Sequence, residues 1–255
     1  MNAPDDGVAS DPVAVVLSEL QTRLDALPPD LRAHAAFLST YRRTTQAVQD
    51  AVRSEVFEDP TWVSAWDEAF ARLYLAALDA RISGQGRVPR PWRLAFQAPA
   101  TLPPLRHVLL GINAHINFDL PQALLAVISD SDFADPELVD RRRRDHGRID
   151  GVLSGRVAAE DAQLSRSSTR SLLDRLLQPV NRYASRWILK EARLKVWHNT
   201  LLLRDARARG PAVFASQLAE LEVLSAARIA ELTAPGQVLL RLAISGFGVL
   251  LPPPD

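Results

Sequence analysis

What most constrains the fold of this 255-residue chain is the placement of its 18 prolines and 11 glycines. They gather at Pro28-Pro29, Pro60, Gly84-Gln85-Gly86, Pro103-Pro104, Pro136, Gly210-Pro211 and Pro235-Gly236. Between these points apolar residues recur every three and four positions, with hardly any sustained alternation. Proline lacks the N–H that a helix interior needs and glycine is entropically costly there, so both mark helix ends. The pattern predicts an all-α fold, a single-domain multi-helix bundle over residues 12–251. Residues 1–11 are expected to form a disordered N-terminal tail and 252–255 a C-terminal tail. A hydrophobic share of 47% is enough to bury a substantial core.

Helices are expected from Pro12 to Leu27 behind a Ser10 or Asp11 cap, from Asp30 to about Phe57, and from Asp59-Pro60 to Gly84. In the third, Trp62, Trp66, Phe70, Leu73 and Ala77 make a stripe at helical spacing that reads as core packing. The proline-rich crossover from Arg87 to Pro104 leaves room for one short turn around Trp92 to Phe96. Leu105 to Phe118 is the central apolar helix, in which Gly111 allows a neighbour to approach closely and which Pro121 ends or kinks. Asp135-Pro136 opens a helix bearing Arg141 to Arg144, a run flanked by Asp140 and Asp145 that reads as a solvated face. Further helices are expected from Ala158 to Gln178, Asn181 to Arg209 and Pro211 to Leu232. The last apolar run, Val238 to Leu251, is shorter than the ~20 residues of a membrane span and reads as a terminal helix docked on the core.

Thirty basic and 30 acidic residues cancel, so no net field draws the chain to nucleic acid or to an anionic membrane. The absence of cysteine removes disulfides, thiolate metal sites and cysteine nucleophiles. Met1 to Asp11 is acidic and lacks a basic segment leading into an apolar one, so it does not read as a secretory signal, and a cytoplasmic location is the default expectation. Only Lys190 and Lys195 are lysines among the basic residues, a bias that reflects genome composition. Serine-nucleophile, P-loop and dinucleotide motifs are absent, which disfavours nucleotide and redox chemistry.

Chemistry concentrates in Asn113-Ala114-His115-Ile116-Asn117-Phe118-Asp119-Leu120-Pro121, where polar groups interrupt an apolar helix. Buried polar groups need partners. At i,i+4, His115 and Asp119 share one helix face, and a histidine bonded to a carboxylate is the arrangement acid/base catalysis asks for near neutral pH. His115 is the candidate acid/base and Asp119 its orienting partner. Asn113, Asn117, Trp92, Asp67, Tyr74, Arg193, Trp197 and His198 are candidate substrate contacts, with the Arg193 guanidinium expected against the Trp197 indole. A purely structural reading competes: Asp119-Leu120-Pro121-Gln122 fits a capping box, with His115 satisfied by a core carbonyl. A metal reading places zinc or another divalent ion among His115, Asp119, His198 and Glu191. His115-x-x-x-Asp119 is similar to an element of the zinc-dependent phospholipase C and nuclease family, but that family's further histidines do not follow Asp119.

Centred on the same motif, the sequence resembles an uncharacterised bacterial all-helical family catalogued as a domain of unknown function. Other landmarks are Trp66 to Tyr74, Pro89 to Trp92, Asp145 with Ile149-Asp150 before Val152-Leu153, and Arg193 with Trp197 and Asn199. Asp150 stands where the family pattern tends to carry asparagine, and Leu194 where a glutamate follows the arginine. The resemblance implies one helical domain with the polar motif at its centre and brings no activity with it. The residues themselves suggest a cofactor-independent enzyme on a small organic molecule, of cyclase, isomerase or hydrolase type, in specialised metabolism. A metal-dependent hydrolase and a non-catalytic binding or scaffold module are the alternatives. The expected partner is a small-molecule substrate, with no nucleic acid and no membrane span, and a homodimer is the expected form of any self-association.

Overall fold

Asp11 starts the first helix by accepting the backbone N–H of Val13 at 3.0 Å, with Pro12 in the first turn where its missing N–H costs nothing. A computed structural model describes residues 11–164, 179–236, 241–242 and 246–254, with the side chains of 150 and 153–190 left out. Of the expected tail 1–11, residues 1–10 lie outside the described residues, and Asp11 is the cap of α1. In chain order the elements are α1 (Pro12–Asp25), a 3-10 turn (Pro29–His34), α2 (Ala35–Arg53), α3 (Pro60–Ser83), α4 (Arg90–Phe96) and α5 (Pro104–Ala114). A π-helical turn (His115–Asp119) follows, then α6 (Leu120–Val127), α7 (Asp130–Phe133), α8 (Pro136–Leu164), α9 (Pro179–Arg209) and α10 (Pro211–Thr233). The described residues contain no strand, so the all-α expectation holds.

Several boundaries move for local reasons. The second helix does not begin at Asp30 or reach Phe57. Pro28-Pro29 leads into a 3-10 turn, and α2 stops at Arg53, before Glu55 takes a left-handed φ of 53°. No break precedes Ala158: α8 runs unbroken from Pro136 to Leu164, and the remainder of the helix expected up to Gln178 lies outside the described residues. Asp59 caps α3 through the Trp62 N–H at 2.9 Å, and Gly84 closes it at φ 69°, a conformation that favours glycine. The arginine run is only partly a solvated face. Arg142 pairs with Asp59 and lies over the Trp62 ring at 4.8 Å, while Arg144 holds Glu58 at 2.8 Å. Fully buried Asp145 accepts the backbone N–H groups of Glu58 and Asp59, each at 2.8 Å, and so ties the α2–α3 connection to α8.

The α5–π–α6 rod occupies the centre, packed by α2, α3, α4, α9 and α10. Pro121 does not end it. A proline ring crowds the carbonyl four residues back, and here the chain widens by one residue per turn, with Leu120 N–H donating five residues back to His115 O. Gly111 earns its place in α5, because a Cβ there would fall inside the Phe37 ring. Gly111→Ala is therefore expected to lower the melting temperature by several degrees, the clash with Phe37 outweighing the ~1 kcal/mol of helix propensity that alanine adds. A scanning-calorimetry midpoint at or above wild type would show instead that the ring moves aside freely.

The terminal helix expected over Val238 to Leu251 is not what the described part shows. Arg241 and Leu242 are helical, but 246–254 is an irregular strap. Gly246 at φ 76° turns it out of helix, and Pro252, Pro253 and Pro254 cannot rejoin one. Side chains from the bundle take its main-chain groups. Glu191 accepts from the Phe247 and Gly248 N–H groups, and Asn199 donates to Val249 O at 3.0 Å while accepting from Leu251 N–H at 2.9 Å. Gln217 reaches Pro252 O at 2.6 Å and Arg209 reaches Pro254 O at 2.7 Å, so the bundle's hold on the chain extends past the expected boundary at Leu251. Phe247, Val249 and Leu251 are buried on the inner side. Gly248 lies so close to α9 that a Cβ would be 3.1 Å from the Ala192 Cα. No helix among the described residues is long and apolar enough to cross a membrane.

Candidate functional site

The π turn brings His115 and Asp119 together on the inner face of the rod. His115 Nδ1 meets Asp119 Oδ2 at 2.8 Å, and the Trp92 indole Nε1–H donates to the same oxygen at 2.7 Å. Trp92 comes from α4, so the proline-rich crossover delivers the one side chain that completes this triad. Because an indole N–H can only donate, and Oδ2 is shared, we assign the carboxylate as acceptor of both bonds and Nδ1 as the protonated nitrogen of His115. Burial lowers the His115 pKa, partly offset by Asp119, and the ring is neutral at pH 7. Burial raises the Asp119 pKa, and its bonds to His115 and Trp92 pull it back.

Asp119 is not a helix cap. Its backbone is helical at φ −81°, its side chain makes no cap bond, and Gln122 donates to Phe118 O rather than reaching back to it. The physical reason is that the rod continues through Pro121, so no fresh N-terminus with free N–H groups exists for Asp119 to cap.

Aromatic rings enclose the imidazole. Phe70 stacks on it with centroids 3.5 Å apart and planes within 6°, and Tyr41 meets it edge-on at 4.6 Å. Trp92, Tyr74 and Phe37 follow at 5.7, 5.8 and 6.3 Å. Inside this shell His115 Nε2 is buried without a hydrogen-bond partner; Tyr41 Oη, Thr45 Oγ1 and Asp67 Oδ2 are also buried without a well-formed one. Burial pushes the Asp67 carboxyl up to about 7. Burial, followed by the charge of Asp67, raises the Tyr41 phenol well above its usual range. The Tyr74 hydroxyl shares a 3.1 Å hydrogen bond with His34 Nε2, and burial pushes His34 down to about 3.

The other sequence candidates divide. Asn113 and Asn117 flank His115, but both amides donate to Phe247 O at 3.0 Å, and Asn117 Oδ1 accepts from Val249 N–H at 3.2 Å. They hold the chain's own strap. Arg193 reaches away from the motif to the His146 carbonyl at 2.8 Å. Trp197 packs in an apolar cluster with Trp62, Trp66 and Leu124, 5.9 Å from the His146 ring, and His198 is exposed. Glu191 serves the strap and pairs with Lys195. The metal set of His115, Asp119, His198 and Glu191 is therefore not assembled: His198 points to solvent while His115 and Asp119 are buried. Among the described residues no group of three or more His, Asp or Glu side chains is placed to hold a metal ion. Tyr41, Thr45 and Phe70 were not singled out as site residues, since each reaches the site from another helix. The one usable signal is that Asp67 and Phe70 are spaced i,i+3 on α3.

A family model described as a family of unknown function matches residues 13–235. No curated protein and no solved structure matches the chain.

Proposed function

The chain belongs to DUF5995, a family of unknown function, and we propose from its own side chains that it is a cofactor-independent enzyme moving protons on a small organic molecule. His115 is the acid/base and Asp119, held by Trp92, its orienting partner. One observation carries the reading: one imidazole nitrogen is bonded to a fixed carboxylate while the other, Nε2, lies buried with no partner. A neutral ring with Nδ1 donating presents a lone pair at Nε2, which is what a general base needs. Two further features support it. π turns concentrate at functional sites, and a rigid aromatic shell excludes the water that would compete for the proton. Exclusion of water suits isomerase or cyclase chemistry better than hydrolysis.

The test needs no known substrate. In heavy water, wild type is expected to speed deuterium incorporation into members of a panel of small carbonyl, hydroxy and ester compounds. His115→Ala is expected to lose about 100-fold or more of that rate while keeping its helical circular dichroism, with His115→Gln as the second variant should alanine unfold. Exchange that is unaffected by either change, or absent from every compound, overturns the proposal. The same burial favours a second reading, a non-catalytic binding or scaffold role in which His115 is a packing residue. That reading predicts unfolding in both variants and no exchange activity in wild type.

A further inference from the structure

We propose that Tyr41 and Asp67 form an oxyanion-binding pair beside the His115 base, and that the ligand is an enolisable carbonyl compound whose oxygen accepts both their O–H groups. The inference rests on the acid–base reading above and specifies its substrate class. It comes from a mismatch in the buried polar groups. Tyr41 and Asp67 are 6% and 7% exposed, and neither Tyr41 Oη nor Asp67 Oδ2 has a partner. Leaving such groups unmade costs stability, so a role for each needs stating.

The three residues arrive from three elements, α2, α3 and the π turn, around one plate. Phe70, one turn beyond Asp67 on α3, lies flat on His115, and the Tyr41 ring meets both His115 and Phe70 edge-on, at 4.6 and 6.2 Å. Asp67 is close enough for its charge to act on the Tyr41 phenol. Thr45, one turn along α2, sets its hydroxyl close enough to the Tyr41 phenol to lower its pKa, but no well-formed hydrogen bond joins the two.

Both oxygens are donors at neutral pH. Burial raises the phenol well above its ordinary value, and it brings Asp67 up to about 7, so a large share of the carboxyl keeps its proton. A neutral carboxylic acid in an apolar setting, next to a tyrosine, is a strong donor pair for an oxygen gaining negative charge. Two donors lack an acceptor, and His115 Nε2 is an acceptor that lacks a donor. A carbonyl group with an acidic C–H beside it supplies both missing partners.

The step balances without a co-reactant. The Nε2 lone pair takes the proton from the carbon next to the carbonyl, the C–H electron pair becomes the C=C bond, and the carbonyl π pair moves onto oxygen. The Tyr41 and Asp67 O–H groups hydrogen-bond the resulting enolate. The imidazolium, stabilised by Asp119, then returns the proton to a conjugated carbon, which completes a double-bond shift; in heavy water, Nε2–H trades its proton for a solvent deuteron before carbon is reprotonated, which is what the exchange measurement reads.

The probe is 4-nitrophenol, whose phenolate mimics an enolate and whose visible absorption separates phenolate from phenol. Titrated into the full chain at neutral pH, it is expected to bind with the phenolate form favoured. Tyr41→Phe and Asp67→Leu, which each remove one donor, are expected to raise its Kd at least about 10-fold. His115→Gln should change that Kd by less than about 3-fold while abolishing deuterium exchange. Failure of wild type to bind the probe, or binding indifferent to both donor variants, overturns the oxyanion pair even where exchange still depends on His115. Donor-dependent binding alongside exchange that ignores His115 overturns the base reading instead. Tyr41→Phe removes only a hydroxyl whose one polar neighbour is Thr45 and which makes no well-formed hydrogen bond in the fold, so loss of folding is not its expected outcome.

Discussion

Asp67→Asn is expected to gain stability over the wild-type chain as pH rises, by roughly 4 kcal/mol between pH 4 and pH 8. The cause is the buried carboxyl, raised from 3.8 to about 7 by burial alone. A group with a raised pKa binds its proton more tightly in the folded state. Its contribution is fully present below the unfolded value and is lost as pH climbs from about 4 to about 7. Asparagine does not titrate, so whatever its amide costs, the pH dependence of the difference is that of Asp67. The lowered histidines, His34, His107, His115 and His146, act in the opposite sense. They destabilise the fold as pH falls below about 6.5, but they do so in both proteins and cancel in the difference. Denaturant unfolding of the two chains at pH 4, 6 and 8 checks this, and a difference that is flat with pH would refute it. A residue that costs stability at working pH is one retained for what it does.

Asn117→Ala is expected to destabilise the chain by about 2–4 kcal/mol, an unusual cost for a polar residue. Its amide bridges the strap, donating to Phe247 O and accepting from Val249 N–H, at 1% exposure. Alanine leaves the Val249 N–H buried with no acceptor. Hydrogen exchange localises the effect: the Val249 amide should lose protection well beyond the general loss, while amides of α1 follow the global change. Unaltered protection at Val249 would show that the strap does not depend on Asn117. Because Asn117 flanks His115 inside the π turn, loosening the strap should also disturb the triad.

Much of the helical frame was legible in the chain. Asp11-Pro12, Asp59-Pro60 with Gly84, and Gly210-Pro211 are local instructions, each acting through a missing N–H, a capping oxygen or a left-handed φ. The pairing of His115 with Asp119 was legible too, because i,i+4 spacing is a property of one helix. The second job offered to Asp119 was misleading, since Asp-Leu-Pro-Gln reads the same locally whether a helix restarts there or widens around Pro121. Only the packing of α2, α3, α4, α9 and α10 around the rod makes the continuous path the better one. Asn113 and Asn117 looked like ligand contacts because nothing near them supplies a partner; their partner is the carbonyl of Phe247, 130 and more residues away.

The sequence by itself determined some helix ends, those at Asp11-Pro12, Asp59-Pro60, Gly84 and Gly210-Pro211, that the core is helical, and that one imidazole and one carboxylate would meet. These rest on interactions within four or five residues, which composition and spacing encode directly. The tertiary structure decided what surrounds that pair. It brought Trp92 to the carboxylate, laid Phe70 on the imidazole, set Tyr41 edge-on to it and Asp67 near that phenol, and turned the last apolar run into a strap. Those contacts join separate helices. Side chains from separate helices meet only when burial of all the apolar faces has chosen one mutual arrangement, and no local pattern records that choice.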